Sequence, residues 1–341
     1  MRVEHKTERV LQTGQLTCHN VSGQEISCVG SGQDAAFKGG ITWPEPRFIP
    51  EENTVFDPLT SLIWTRDANL AEFPMTWREA LQWVDKINSE QTFGFSDWRL
   101  PNRRELRSLV SHQTRRPPLP EHHPFVNVFL SWYWTSTTAA IAPDHAWYVS
   151  MDGARMFYGG KDQSFMVWPV RGQGGTLQST GQKECYDARG LCVPCAGSGQ
   201  DGEFKVGIPP PEPRFLSEAD SVLDQLTGLR WLRHADLTAG PVSWPEALAA
   251  VEALRCESPQ HGWRLPNINE LESLIDCASH TPALPDGHGF NHLNEAYWSS
   301  TTSLYEPDWA WALYLNKGAI GVGQKSGAHY RVWAVADPAQ K

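Results

Sequence analysis

The sequence predicts an α+β chain built from two tandem copies of one domain. Residues 98–106 (WRLPNRREL) return almost letter for letter as residues 263–271 (WRLPNINEL). Each copy carries helix-capping patterns in its middle and alternating apolar and polar residues near its end, which is typical of short helices followed by antiparallel strands. A repeat of about 165 residues has the size of a domain, so the pattern indicates two globular domains and not a solenoid.

The repeat extends through most of the chain. Further matched stretches are GSGQD at 30–34 and 197–201, PEPRF at 44–48 and 211–215, and YWTSTT at 133–138 with YWSSTT at 297–302. The predicted domains are residues 13–172 and 180–337, joined by a polar, glycine-bearing linker at 173–179. A chain of 341 residues is long enough for each half to bury a core of its own.

Each copy opens with a stretch rich in Gly, Pro and Ser, at residues 13–48 and 180–215, which predicts a loop-rich segment. The spacing of Cys18 and Cys28 is repeated by Cys185 and Cys195. Such a repeat predicts one loop-closing disulfide in each copy.

Three further cysteines have no counterpart in the first copy. Cys256 and Cys277 appear together, which predicts a bond between them at the ends of two helices. Cys192 is left over, and with Cys185 and Cys195 it forms a group for which a metal or redox cluster is the alternative interpretation. Disulfides are favoured, and they predict an oxidising compartment.

After the opening stretch each copy predicts a strand, a turn and a strand, at residues 53–64 and 222–231. Two capped helices follow in each copy. The cap pairs are Thr76 with Glu79, Asn102 with Glu105, Ser243 with Glu246, and Asn267 with Glu270. Because a capping box explains these carboxylates, Glu105 and Glu270 are interpreted as caps and not as catalytic acids. The late stretches, from 133 to 171 and from 297 to 333, predict a small antiparallel sheet.

Composition excludes some partners. A net charge of −10 and a pI near 5.6 repel phosphate backbones, so nucleic acid is not an expected partner. No apolar run approaches the roughly 18 residues of a membrane span, and the first residues lack the apolar segment of a secretory signal. The expected location is extracytoplasmic (periplasmic, surface or secreted) if an export signal has been removed, and cytoplasmic otherwise.

The order of these motifs resembles the Lcl C-terminal domain family, named for the C-terminal domain of a collagen-like bacterial adhesin. The motifs that carry the resemblance are DQLTGLRW at 224–231, WPEAL at 244–248, the two WRLPN stretches, the YWSST stretch and a closing RVW at 331–333. The resemblance covers nearly all of both copies. It implies the C-type-lectin-like fold that formylglycine-generating enzymes share, with two helices packed on a twisted antiparallel sheet in each domain, long loops, and a ligand face built from the late strands and loops.

The chain departs from these relatives in two ways. No collagen-like Gly-x-y tract precedes the domains. The reactive cysteine pair of formylglycine-generating enzymes lies late in the domain, whereas no cysteine follows Cys277 here. An enzymatic activity is therefore not expected.

The tryptophans divide into two groups. Of 16, twelve pair between the copies and are predicted to pack in the cores, because each ring buries a large apolar area. The unmatched ones are Trp43, Trp83, Trp132 and Trp309, and an aromatic ring that the fold can omit is a better candidate for an exposed stacking platform. The predicted ligand-binding residues near the late loops are Trp132, Tyr133, His145, Tyr158, Lys161, Trp309, Tyr314, Lys317, Lys325 and Tyr330. The alternative interpretation is that these residues cover a hydrophobic edge.

The sequence thus predicts a secreted or surface-exposed bacterial protein that binds a glycan or protein ligand through two lectin-like modules. The alternatives are an enzyme on the same fold and a structural component of a surface assembly. No catalytic residue, metal site or cofactor is predicted. The 306–308 tripeptide (EPD) resembles the calcium- and sugar-binding tripeptide of C-type lectins; it is interpreted as a turn, and a calcium site is the alternative.

Overall fold

The computed structural model describes residues 10–337 and divides them into two compact units. The first unit contains residues 43–209 and 276–280, and the second contains residues 10–42, 210–275 and 281–337. Both units combine short helices with antiparallel strands, as the α+β prediction requires.

The strands of the first half of the chain are β1 (Cys18–His19), β2 (Glu25–Ile26), β3 (Ile49–Pro50), β4 (Thr54–Asp57), β5 (Leu62–Thr65), β6 (Met75–Thr76), β7 (Trp132–Thr138), β8 (His145–Ser150), β9 (Met156–Gly160), β10 (Ser164–Phe165) and β11 (Val170–Arg171). Those of the second half are β12 (Cys185–Tyr186), β13 (Cys192–Val193), β14 (Phe215–Ser217), β15 (Ser221–Asp224), β16 (Arg230–Leu232), β17 (Ala296–Thr302), β18 (Trp309–Tyr314), β19 (Ala319–Gln324) and β20 (Val335–Ala336). The helices are α1 (Asp34–Phe37), α2 (Trp77–Ser89), α3 (Arg103–Ser108), α4 (Asp201–Phe204), α5 (Trp244–Glu257) and α6 (Ile268–Ser273), with 3₁₀ turns at Thr92–Gly94 and Pro259–His261.

The first unit is built on two antiparallel sheets. One has the strand order β11-β5-β4-β3, so the last strand of the copy returns to its first hairpin. The other runs β7–β8–β9, with Tyr133 opposite Val149. The turn between β4 and β5 forms because the Asp57 carboxylate accepts hydrogen bonds from the Leu59 N–H (3.0 Å) and the Thr60 hydroxyl (2.9 Å).

The second unit repeats this plan. Its sheets have the orders β14-β15-β16-β20 and β17–β18–β19, again antiparallel. Tyr297 stands opposite Leu313, the position that corresponds to Tyr133 opposite Val149 in the first unit. The strand, turn and strand predicted in each copy are confirmed as β4–β5 and β15–β16.

Capping sets the start of the main helices, as the spacing predicts. The Glu79 carboxylate accepts the Thr76 N–H (2.9 Å), and the Thr76 hydroxyl accepts the Glu79 N–H (3.4 Å). Ser243 and Glu246 make the corresponding carboxylate contact at 2.8 Å. Helix α2 buries the apolar stripe Trp77, Ala80, Val84 and Ile87 against the core of the first unit.

The matched tryptophans form the cores. All twelve that pair between the copies are buried, whereas the four unmatched rings are half-buried. In the second unit Phe290 packs edge to face on Trp333 at 4.7 Å, and the Trp231 ring packs on Trp333 in a tilted arrangement at 5.3 Å. The prediction that the repeated indoles serve packing is confirmed.

The structure groups the opening stretches differently from the predicted domain boundaries. Residues 10–42, here called the first lead-in, pack with the body of the second copy, and residues 177–209, the second lead-in, pack with the body of the first copy. The first body is residues 43–172, and the second body is residues 210–275 with 281–337. The prediction had joined each stretch to the copy that follows it in sequence.

Two of the three predicted disulfides are confirmed and one is wrong. Cys18–Cys28 and Cys185–Cys195 are bonded, which leaves no thiolate cluster for a metal at Cys185, Cys192 and Cys195. Cys256 and Cys277 are both free.

The Cys256–Cys277 bond is absent because the segment that carries Cys277 leaves the second body. Residues 276–280 belong to the first unit, where the Cys277 N–H donates to the Thr180 carbonyl at 2.8 Å. Burial there raises the pKa of the Cys277 thiol to about 11, which makes it unreactive. Cys256 remains exposed at the end of α5.

Candidate functional site

Lys161, one of the predicted ligand-binding residues, is buried, and its ammonium group is hydrogen-bonded within the protein. Its Nζ donates to the carbonyl oxygens of Pro143 (2.9 Å), Tyr186 (3.0 Å) and Asp187 (3.2 Å), and it lies 4.1 Å from the centre of the Trp77 ring. Tyr186 and Asp187 belong to the second lead-in. The lysine therefore fastens this lead-in to the first body.

Lys325 has the same role in the second unit. Its Nζ donates to the carbonyl oxygens of His19 (3.0 Å) and Asn20 (3.4 Å) and to the Thr302 hydroxyl (2.9 Å), 4.2 Å from the Trp244 ring centre. Burial lowers the pKa of both lysines to about 7. The expectation that Lys161 and Lys325 face a ligand is wrong, because their ammonium groups are enclosed by lead-in backbone.

A buried carboxylate is the second anchor of each lead-in. Asp34 at the start of α1 accepts hydrogen bonds from the hydroxyls of Thr13 and Thr301, both at 2.7 Å. In the first unit the corresponding groups are Asp201, Thr180 (2.8 Å) and Thr137 (2.6 Å). Burial raises the pKa of Asp34 and of Asp201 to about 6.

A glutamine is the third anchor. Gln15 accepts the Thr302 N–H (2.9 Å) and donates to the Thr302 carbonyl (2.8 Å), so its amide pairs with strand β17 as backbone would. Gln182 makes the same two bonds to Thr138, each at 2.8 Å. The residues of each body that hold a lead-in are called here the first socket (Trp77, Thr137, Thr138, Lys161) and the second socket (Trp244, Thr301, Thr302, Lys325).

The anchoring carboxylates make stability depend on pH. The pKa of Asp34 is higher in the folded protein than in the unfolded chain, so its contribution is full below about pH 4 and is lost as the pH rises through about 6. Asp34 faces Thr13 and Thr301 and lies near the Arg264–Glu270 ion pair. We expect Asp34→Asn to remove roughly 2–3 kcal/mol of this pH-dependent change in the free energy of unfolding.

Urea denaturation of wild type and Asp34→Asn between pH 4 and pH 7 measures the effect. Asp201→Asn is the matched variant in the first unit and should behave alike, because its pKa is raised by the same cause. Parallel curves for wild type and both variants would contradict the assignment.

Tyr133 is also buried and cannot contact a ligand. It packs 5.7 Å from Trp168, and its hydroxyl accepts the Phe129 N–H at 2.9 Å. Burial raises its pKa. The prediction that Tyr133 lies on the ligand face is wrong, because its place in β7 points it into the core.

The remaining predicted residues stay accessible but do not form one face. Trp132 packs 4.5 Å from Tyr148, whereas Tyr158 packs 5.2 Å from Trp147. Trp147 and Tyr148 are consecutive in β8 and therefore point to opposite sides of the sheet. His145, paired with Asp144 at 2.7 Å, lies on the Tyr158 side.

The second unit separates its predicted residues in the same manner. Tyr314 and Tyr330 are half-buried and share a hydrogen bond of 2.7 Å between their hydroxyls. Trp309 is half-buried on the other side of β18, because it is five residues from Tyr314 along the strand. Lys317 is exposed in the turn between β18 and β19.

A cluster of exposed apolar residues immediately precedes Trp132 in the sequence of the first unit, and the sequence prediction missed it. Val126, Phe129 and Leu130 are exposed, Phe129 by 51 %, and they precede half-buried Trp132 in the chain. These four residues are called the apolar patch. Asn291, Asn294 and Ala296 of the second unit correspond to Val126, Phe129 and Trp132, and the second unit is one residue shorter around the position of Leu130. The signal available in the sequence was this contrast between the copies.

Two open cavities are lined by a mixture of charged, polar and apolar side chains. One of about 630 Å³ lies between α2 and the second lead-in, where Arg78 and Asp85 face Asp187 and Arg189. The other, about 690 Å³, lies in the second body beside His234. Within residues 10–337, no three His, Cys, Asp or Glu side chains are grouped so that they could hold a metal ion.

The arginine of each WRLPN stretch forms a buried ion pair with the glutamate that caps the next helix. Arg99 makes a two-bond ion pair with Glu105 (2.5 and 2.6 Å), and Arg264 makes the same pair with Glu270 (2.7 and 2.5 Å). Both carboxylates also cap a helix by accepting the N–H of the residue three positions before them. The interpretation of Glu105 and Glu270 as caps is confirmed, and the sequence prediction missed their arginine partners.

Comparison with known families decides the family of the chain. The family model described as the Lcl C-terminal domain matches residues 53–171 and 220–336, well over half of the chain. The chain belongs to the Lcl C-terminal domain family. The match confirms two tandem Lcl domains, and both lead-ins lie outside it. No curated protein matches the chain significantly.

Two further findings bear on where this Lcl protein works. Its two disulfides fit an oxidising, extracytoplasmic environment. None of the helices in the described part of the chain has the length and apolar character needed to cross a bilayer.

Proposed function

We propose that this Lcl protein is an adhesin-like binding protein that is exported to the oxidising environment of the bacterial surface. Membership in the Lcl family supports the adhesin-like role. The proposal includes the C-type-lectin-like fold for each domain, which the pairing of two main helices with antiparallel sheets in each unit supports.

The observation that carries the binding proposal is the apolar patch of the first unit. Soluble domains seldom expose adjacent large apolar side chains without a use for them. The second unit makes the same backbone hydrogen bond to its tyrosine hydroxyl but carries Asn291, Asn294 and Ala296 at three of the four positions, so the fold does not require apolar residues there. Trp132 offers a ring beside Tyr148, and such a pair can stack on the apolar face of a sugar or receive an apolar side chain of a protein.

The proposal assigns no catalytic activity and no cofactor. The buried ionisable groups of the sockets and of the ion pairs are engaged in packing the lead-ins and capping helices. The 306–308 tripeptide is a turn closed by a hydrogen bond from the Trp309 N–H to the Glu306 carbonyl (2.8 Å), which supports its interpretation as structural.

Arrays of glycans and extracellular proteins test the proposal. Trp132→Ala and Phe129→Ser should each weaken binding at least about tenfold, because a central aromatic contact is worth roughly 2 kcal/mol or more. Trp309→Ala is the matched control, since Trp309 is also a half-buried indole at the start of a late strand but lies in the second unit, and it should bind as wild type does.

Phe129→Ser removes an exposed ring, so its fold is expected to be intact by circular dichroism. Equal binding by wild type and both patch variants would reject the patch as the site. Wild type that binds nothing on either array would reject ligand binding and favour the structural-component alternative.

A further inference from the structure

The two sockets hold different lead-ins with the same atoms. Each has a lysine Nζ that donates to lead-in carbonyls, a threonine hydroxyl that donates to the lead-in aspartate, and a threonine backbone paired with the lead-in glutamine. Close contacts are repeated as well. A Cβ on Gly32 would lie 3.9 Å from the Leu248 Cβ, and one on Gly199 would lie 3.9 Å from the Leu81 Cβ.

The two lead-ins differ in their sequence position relative to the body that each one contacts. The second lead-in follows the first body directly, so the first body is completed by the segment that comes after it. The second body is completed instead by the first lead-in, which precedes both bodies in the sequence: Gln15 bonds to Thr302, 287 residues away.

We propose that the second socket is an exchange site, which accepts the first lead-in of another copy of this chain as well as its own. A copy that donates its first lead-in while its own second socket receives one forms a head-to-tail assembly. The partner is therefore a second copy of this chain.

The chemistry of the contact supports exchange. The first lead-in is held by discrete polar anchors and shows much of its apolar surface to solvent, with Leu16 exposed by 62 % and Val29 by 92 %. The Asp34 carboxylate bonds to Thr301 of the second body, and the Gln15 amide bonds to Thr302 of the second body. The same bonds can form whichever chain supplies the lead-in. The closed and exchanged forms then differ mainly in the entropy lost when two separate chains associate.

Concentration therefore decides between the two forms. A tethered segment competes with free copies at an effective concentration on the order of 1 mM. Dilute chains should be closed, whereas chains crowded on a surface should exchange their first lead-ins.

Engineered disulfides test the proposal in the full chain. Gly32→Cys with Leu248→Cys places the two Cβ atoms at a separation suited to a disulfide, in a Cys192→Ser, Cys256→Ser background. Isotope-labelled and unlabelled chains are mixed, equilibrated at about 0.01 mM and at about 1 mM, and then oxidised. Mass spectrometry of the cross-linked peptides counts the bonds that join a labelled to an unlabelled chain.

The mixed bonds should rise at least about tenfold between the two concentrations, with a ladder of covalent multimers. If every bond joined residues of the same chain at both concentrations, the proposal would be overturned. The matched control is Gly199→Cys with Leu81→Cys in the same background, which should stay unmixed because the second lead-in adjoins its own body. Equal mixing there would also overturn it, because general unfolding would then explain the exchange.

A second pair repeats the test at a separate place on the same contact. A Cβ on Gly23 would lie 3.4 Å from the Pro307 Cβ, again across the first lead-in and the second body. Gly23→Cys with Pro307→Cys should give the same ladder, and its absence would contradict the result from the first pair.

Discussion

Replacing Arg264 by alanine should lower the free energy of unfolding of the second unit by about 3–5 kcal/mol. The Arg264 side chain is 2 % exposed, and its guanidinium bonds to both carboxylate oxygens of Glu270 and to Asp337. Removal of the cation leaves the Glu270 charge buried without its partner. The first lead-in covers this pair, because a Cβ on Gly39 would come within 2.8 Å of Glu270 and 2.9 Å of Arg264.

Urea denaturation followed by tryptophan fluorescence measures this loss. Arg255→Ala is the matched control, since Arg255 pairs with Glu252 on the exposed surface of α5 and should cost no more than about 1 kcal/mol. Arg99→Ala tests the equivalent pair of the first unit and should resemble Arg264→Ala. If Arg264→Ala lowered the free energy of unfolding no more than Arg255→Ala does, the buried ion pair would not contribute more to stability than the exposed one.

Removal of the Cys18–Cys28 bond by a double serine substitution should cost about 3 kcal/mol and release the first lead-in. The bond closes a short loop in a segment that has few apolar contacts of its own, so the unbonded chain gains much conformational freedom. Released residues 10–42 should become the first site of cleavage by a protease, as gel analysis of timed digests would show.

The serine variant of Cys185 and Cys195 is the comparison, because it removes the equivalent bond of the second lead-in. We expect it to move the first cleavage to residues 177–209. Cleavage at the same place in both variants, or unchanged resistance in either, would contradict the view that each bond maintains its own lead-in.

Local patterns in the sequence were sufficient to predict much of the fold. The repeat of WRLPN revealed two domains, and the spacing of Thr76 with Glu79 revealed a helix start, because a capping box depends only on residues three positions apart. Cys18 and Cys28 could be paired because Cys185 and Cys195 repeat their spacing. The twelve matched tryptophans were correctly assigned to the cores. Both copies have the same core packing, and a residue present at the same place in both copies contributes to it.

Properties that depend on distant partners could not be predicted in this way. Lys161 and Lys325 have the sequence context of surface lysines, and only the lead-in that covers them makes them buried. Cys277 was paired with Cys256 because both are special to the second copy, yet the chain carries Cys277 into the first unit. The apolar patch became visible only once the exposure of Phe129 was known.

The sequence by itself determined the two copies, their helix starts, their cores and the disulfide of each lead-in, since each of these follows from short-range chemistry or from self-similarity. Only the tertiary structure decided which lead-in completes which body. Both sockets carry the same residue types at the same places, so no difference in local chemistry distinguishes the two lead-ins. The connectivity of the folded chain makes the choice: the second lead-in docks on the body just before it, and the second body receives the first lead-in, the one that remains.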